Sequence, residues 1–195
     1  SADIDTLKKT RSRLQVGASF ARQELLHLAL MSSENRAAAA LGRAFPGGVN
    51  AFVEAMNDKA RELEMHDSYF VEPTGLSAGN VSTARDLAKM VSAAYQYNEI
   101  RYYSTTTKHV VKPRNRKRRL HYANTNGLLY SDHWKIDVSK TGFLNEAGRC
   151  LVMRAKVAGK PVVIVLLNSW GKNTRIGDAN RVRKWMEVNY SHNDV

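Results

Sequence analysis

Apolar positions recur at helical spacing through the first half of the chain and alternate through the second. From Phe20 to Ser33, Phe20, Leu25, Leu28, Leu30 and Met31 follow a polar Arg22-Gln23-Glu24 turn, which predicts a buried helix ending near Ser32-Ser33. An alanine-rich helix is expected from Arg36 to Phe45, stopped by Pro46-Gly47-Gly48. A third, from about Val49 to Glu64, places Phe52, Val53, Met56, Ala60 and Leu63 on one face. Tyr69 to Asn80 is rich in turn formers and reads as a loop. Thr83 with Asp86 three residues later is a capping-box signal, and Leu87, Met90, Val91 and Ala94 continue that helix to about Tyr97.

The period then changes. Tyr102 to Tyr122 alternates and turns basic, predicting a two-stranded flap around a basic tip, and Asn124 to Gly127 is a turn leading to Leu128-Leu129-Tyr130. A second alternating run ends in Lys140-Thr141-Gly142, a polar loop follows, and another apolar run begins at Cys150. Arg149 to Val157 and Lys160 to Leu167 form a hairpin across Ala158-Gly159, with Val162 to Leu167 expected to be buried on both faces. Asp178 starts a final helix with Val182, Trp185 and Met186 inward. The predicted class is α/β (α+β), an antiparallel sheet of three strands backed by one helix. One domain is expected over residues 1–195, with a helical part at about 20–97, the flap at about 102–130, and the sheet and final helix at about 134–188. Ser1 to Ser19 offers no element to cover the free sheet edge, so the domain is expected to be cut short at its N-terminus.

Composition narrows the function classes. With 195 residues, 43% of them hydrophobic, the chain can bury a core. No run of about 18 apolar residues is present to span a membrane, and the polar Ser1–Arg13 is not a signal peptide. A single cysteine, Cys150, excludes an intrachain disulfide, and the six histidines show no ligand spacing, so no metal site is expected. The net charge of +12 points to an anionic partner, and the excess gathers at Lys108, Lys112, Arg114, Arg116, Lys117, Arg118 and Arg119. That stretch lacks a helical period and has one nearby aromatic, Tyr122, so no nucleic acid is expected. A solvated hairpin tip is the simpler reading, although anionic wall polymer or lipid head groups would use the same charges.

Two triplets carry candidate chemistry. Lys140-Thr141-Gly142 sets a cation, a hydroxyl and a bare backbone side by side on a strand, which suits an anionic, peptide-like ligand at a sheet edge. Ser33-Glu34-Asn35 stands between two helices, where capping alone would account for Ser33 and Asn35; Glu34 has no assigned role. Taken in that order, about a hundred residues apart, the pair resembles the penicillin-recognising serine peptidases, whose signature is Ser-x-x-Lys, Ser-x-Asn and Lys-Thr-Gly. Pro73-Thr74-Gly75-Leu76-Ser77, Asn80-Val81-Ser82-Thr83-Ala84, Asn124-Thr125-Asn126 and Ala147-Gly148-Arg149-Cys150-Leu151 resemble the low-molecular-mass D-alanyl-D-alanine carboxypeptidase and endopeptidase branch.

The resemblance implies a penicillin-binding transpeptidase/β-lactamase-like fold and a serine peptidase that cleaves D-alanine-linked peptide bonds of peptidoglycan through an acyl-enzyme, is inhibited by β-lactams, works in the bacterial periplasm and needs no cofactor. It implies that Ser33 relays a proton to the leaving amine and that Asn35 bonds the substrate carbonyl. Lys140 would supply positive potential and Thr141 a hydroxyl for the leaving-side carboxylate, with Gly142 giving close approach and the Phe143 N–H half of the oxyanion hole. The nucleophile motif is missing ahead of Ser33. The one literal match, Ser169-Trp170-Gly171-Lys172, follows the last strand and is read as a decoy. The nucleophile is therefore expected on a missing N-terminal segment of the same protein, and the chain alone should be inactive. The rival reading is a non-catalytic module that binds peptidoglycan or another polyanion through the basic flap, which steep salt dependence would reveal.

Overall fold

A computed structural model describes residues 12–190. Helices come first: α1 (Arg22–Ser32), α2 (Asn35–Arg43), α3 (Gly48–Glu62), α4 (Ala84–Ala94) and α5 (Asn98–Thr105). The flap strands β1 (Lys108–Val111) and β2 (Leu120–Ala123) follow, then β3 (Lys135–Leu144), β4 (Gly148–Val157) and β5 (Lys160–Ser169), and α6 (Thr174–Tyr190) comes last. No helix among the described residues is long and apolar enough to cross a membrane. Residues 1–11 of the expected approach segment lie outside the described residues, and residues 12–19 form no helix or strand.

The sheet is antiparallel in the order β3-β4-β5, so among the described residues β4 is central and β3 and β5 are the outer strands. Alternation along β4 sorts its side chains between two cores. Leu151, Met153, Ala155 and Val157 pack with Ile164 and Trp134 beneath Ile176, Ala179 and Met186 of α6. Val152 and Val138 pack against Leu87 and Val91 of α4. Helices thus cover both faces, where the sequence predicted one. Each buried aliphatic side chain contributes about 1.5–3 kcal/mol, which makes β4 the main anchor of the sheet.

Several sequence expectations hold and several need correction. Thr83 caps α4 by accepting the Asp86 N–H at 3.2 Å, but the reciprocal half of the box is absent. The Asp86 carboxylate instead accepts the Asp67 N–H at 2.9 Å and the Ser68 hydroxyl at 2.8 Å, pinning the preceding loop. The hairpin turns at Ala158-Gly159 as expected, both residues having positive φ. Tyr102 to Thr105, expected in the flap, is helical: Tyr103 and Ser104 are buried, and α5 packs on α1 and β3. Lys140-Thr141-Gly142 does not end its strand, since β3 continues to Leu144. Both faces of β5 are packed, but only Ile164 and Ser169 of the strand are buried, and one side of the strand has no neighbour among the described residues. The last helix begins at Thr174 and turns Ile176, Ala179 and Met186 inward; Trp185 is 58% exposed.

The flap is fastened to α1 by rings. His27 is buried, stacked on His109 at 4.0 Å and on Tyr103 at 4.6 Å between centroids. Burial, reinforced by His109, pushes the His27 pKa down to about 4, so His27 is uncharged at neutral pH.

Candidate functional site

The site forms where outer strand β3 meets the junction of α1 and α2. Ser33 terminates α1 in the left-handed conformation with φ of 54°, and the Glu34 N–H closes back on Leu28 O at 3.2 Å. Glu34, unassigned from the sequence, is the N-cap of α2: its carboxylate accepts the Arg36 N–H at 3.2 Å and the Tyr122 hydroxyl at 3.4 Å. Ser33 is thus the C-cap of α1 and Glu34 the N-cap of α2, with Asn35 the first residue of α2.

The turn presents the Ser33 hydroxyl to β3. The Lys140 ammonium donates to Ser33 Oγ and, at 2.8 Å, to Thr141 O, while the Ser33 hydroxyl lies 3.5 Å from Thr141 O. The Thr141 hydroxyl donates to Thr125 Oγ1 at 2.6 Å. Thr125 is positioned by its neighbours: Asn124 Nδ2 bonds Ser104 O and Thr106 O, and buried Asn126 donates to Ser139 Oγ at 2.8 Å. The root of the flap is therefore stitched to β3 beside the site.

Ser33, Asn35, Lys140, Thr141, Gly142 and Phe143 all line one cavity of about 610 Å³. Phe143 is exposed, its ring beneath the Arg149 guanidinium at 4.5 Å. The decoy motif is elsewhere: Ser169 is buried at the end of β5, Lys172 is exposed, and neither lines this cavity. The structure adds Arg175, at the start of α6, which the sequence reading missed. Its Nε and Nη1 are buried without a hydrogen-bond partner. Burial and the nearby Arg149 charge lower the Arg175 pKa. Burial, with the Arg175 charge added, brings Lys140 down to about 8. Among the described residues no carboxylate lines the cavity, so two partly desolvated cations face a space that an anionic group would neutralise.

Loop residues Thr74, Gly75 and Leu76 form the opposite wall. The Glu72 carboxylate organises them, accepting N–H groups of Thr74 at 2.6 Å, Leu76 at 2.8 Å and Ser77 at 3.2 Å, and the Asn80 amide at 2.9 Å. Asn57 of α3 anchors the base of the loop through both backbone groups of Phe70, each at 2.8 Å. Glu72→Ala is expected to lower stability by about 2 kcal/mol, the cost of stranding several donors around one lost acceptor. A urea midpoint equal to that of the parent would remove Glu72 as the organiser.

A second cavity, of about 510 Å³, shares Lys140, Thr141 and Gly142 with the first and runs beneath α4. Its other walls include Leu87, Met90, Val152 and Leu167, so an apolar trough opens directly onto the cation.

Residues 4–171 match the family described as D-alanyl-D-alanine carboxypeptidase, peptidase S11. The chain is 49% identical over 182 residues to a D-alanyl-D-alanine endopeptidase of Escherichia coli K12, covering 93% of this chain and 59% of the relative. It is 51% identical over 187 residues to a D-alanyl-D-alanine endopeptidase of Pseudomonas aeruginosa, covering 96% and 60% respectively. The chain thus spans less than two thirds of these relatives. Its backbone superposes on the Streptomyces K15 DD-transpeptidase with a TM-score of 0.87 at 29% identity, covering 96% of this chain and 76% of that one. Penicillin-binding protein D2 of Listeria monocytogenes, solved in a cefotaxime-bound form, gives 0.73 at 26% identity, covering 90% and 73%. The mixed α and antiparallel-β architecture is therefore the penicillin-binding transpeptidase fold. By the extent of the family match and by its identity to the two endopeptidases, the chain belongs to the S11 peptidases, the D-alanyl-D-alanine carboxypeptidase family.

Proposed function

We propose that these residues form one side of the active site of a serine D-alanyl-D-alanine peptidase, of the endopeptidase type, acting on peptidoglycan peptides in the bacterial periplasm and inhibited by β-lactams. The observation that carries this reading is the Lys140 ammonium bonded to Ser33 Oγ across a cation-lined cavity. The nucleophile is the serine of a Ser-x-x-Lys sequence on a segment that precedes residue 1 in the same polypeptide. Support for that placement comes from the largely apolar trough that opens on Lys140.

In this mechanism the serine oxygen attacks the carbonyl carbon of the D-alanine-linked bond. Its proton passes to the lysine of its own motif and on, through the Ser33 hydroxyl, to the leaving nitrogen. Asn35 holds the substrate carbonyl. Charge on the tetrahedral oxygen is met by the Phe143 N–H together with that of the serine, each donor contributing about 3 kcal/mol. Thr141 and Arg175 hold the carboxylate on the leaving side, which pairs the guanidinium nitrogens that are otherwise bare. Water then releases the acyl-enzyme by the reverse proton path.

Fluorescent penicillin tests the reading. A form of the polypeptide extended upstream to include the Ser-x-x-Lys segment should label covalently at that serine, and the 195-residue chain should not. Labelling of the short chain would implicate Ser169 and displace the proposed site; labelling of neither would remove the peptidase reading.

A further inference from the structure

The flap holds the densest charge in the molecule, and peptide cleavage leaves it unused. Lys112, Arg114, Arg116, Lys117, Arg118 and Arg119 fall within eight consecutive residues without an acid, and all six are exposed. The ion pairs among the described residues lie elsewhere, on α3, α4, α6 and between Arg154 and Asp137.

The tip is tied to the segment before α1. The Arg114 N–H donates to Ser19 O at 2.8 Å, Asn115 Nδ2 to Gly17 O at 2.8 Å, and the Ser19 N–H to Asn115 Oδ1 at 3.0 Å. Between segment and tip runs a groove of about 270 Å³, lined by Arg13, Gln15, Pro113, Arg116, Arg118 and Leu120 among others, with no acid in its wall among the described residues. Arg13 is fixed: its guanidinium donates to His121 O and lies 4.2 Å over the Tyr122 ring. One wall therefore carries a preorganised cation and the other carries two exposed ones.

Three observations select the ligand. Tyr122, the tyrosine of the flap strands, is buried under Arg13, so its ring offers bases no stacking face. No aliphatic or aromatic side chain is exposed between Pro113 and Arg119 to enter a bilayer, and a concave groove suits a discrete anionic group better than a flat lipid surface. Lys117 stands eight residues along the chain from Thr125, which lines the site cavity, so even fully extended backbone keeps the tip within about 29 Å of that cavity.

We propose that the groove and basic tip form an exosite for a second anionic segment of the polymer whose peptide enters the cavity, a carboxylate on a neighbouring peptide of the same strand. The identity of the polymer rests on the peptidase reading. A peptide ending in D-alanine carries a free carboxylate, so a polymer bearing many is a polyanion, and holding two groups on one polymer raises the effective concentration of the second.

The test uses the extended polypeptide carrying R116E/K117E/R118E, beside K135E/K156E/K184E, which changes net charge equally at exposed positions away from the flap. Co-sedimentation with purified insoluble peptidoglycan is read at low and high salt. The flap variant should lose affinity by about tenfold or more and show a flattened salt dependence, while the control stays within about twofold of the parent. Penicillin labelling should be unchanged in both, which verifies folding and the acylation site. An equal loss in the control, or parental binding by the flap variant, overturns the exosite. So does a flap variant that loses binding only to phosphatidylglycerol vesicles, since the partner is then lipid. Flap-dependent wall binding without penicillin labelling in any form would sink the peptidase reading and leave the exosite standing.

Discussion

Lys140→Ala in the extended polypeptide is expected to slow acylation by a penicillin about 10²- to 10³-fold, the scale of losing one preorganised charged donor from an active site. The ammonium bonds both Ser33 Oγ and Thr141 O, so its removal takes away the positive potential beside the proposed proton relay and leaves Ser33 free to rotate. The pH profile gives a separate signature. Burial and then the Arg175 charge hold the Lys140 pKa down at about 8, so acylation should fall as pH rises through 8, well below the range where an ordinary lysine titrates. Stability should move the other way. Between about 8 and the unfolded value the unfolded chain binds the extra proton, so stability from this group rises with pH across that window. An unchanged acylation rate in the variant, or a rate that stays flat in the parent from pH 7 to about 9.5, would remove Lys140 from the mechanism.

Arg175→Ala should lower kcat/KM about a hundredfold for a peptide with a free C-terminal carboxylate, the loss expected for a charge-assisted hydrogen-bonded pair. The same change should leave the melting temperature unaltered or raised. Nε and Nη1 are buried with no partner, so truncation relieves a desolvation cost in the free protein while removing the group that a carboxylate would satisfy. Function and stability are thereby separated at one residue. A peptide whose C-terminus is amidated is the control, because it offers no anion to pair. Equal losses for acid and amide would assign Arg175 a packing role.

Much of this architecture is legible in the sequence where local chemistry and tertiary structure agree. Thr83 at a helix start, Ala158-Gly159 between two apolar runs, and the alternation of β4 each state their structure within a few residues. Ser33 and Lys140 became legible as a pair only through resemblance, since each triplet alone fits a cap or a strand. What stayed hidden depends on contacts distant in sequence. Tyr102 to Thr105, with aromatic and β-branched residues, favours strand by composition, but burial of Tyr103 and Ser104 against α1 and β3 makes it helix. Arg175 has no local signature because only the tertiary fold brings the start of α6 to the cavity that β3 lines. The inward face of α6 is set by Ile176, Ala179 and Met186, a phase that turns Trp185 to solvent despite its size.

If Ser33 acts as proposed, its left-handed backbone sets durability against function. A residue with a Cβ in that region costs about 1–2 kcal/mol, and glycine is the residue that relieves it. Selection for thermal robustness alone would thus favour Ser33→Gly, giving a more comfortable turn and a Lys140 with no hydroxyl to meet. The conformational penalty at this one position is tolerated because α1 closes on Leu28 O and Glu34 starts α2, so two helices hold the hydroxyl in place.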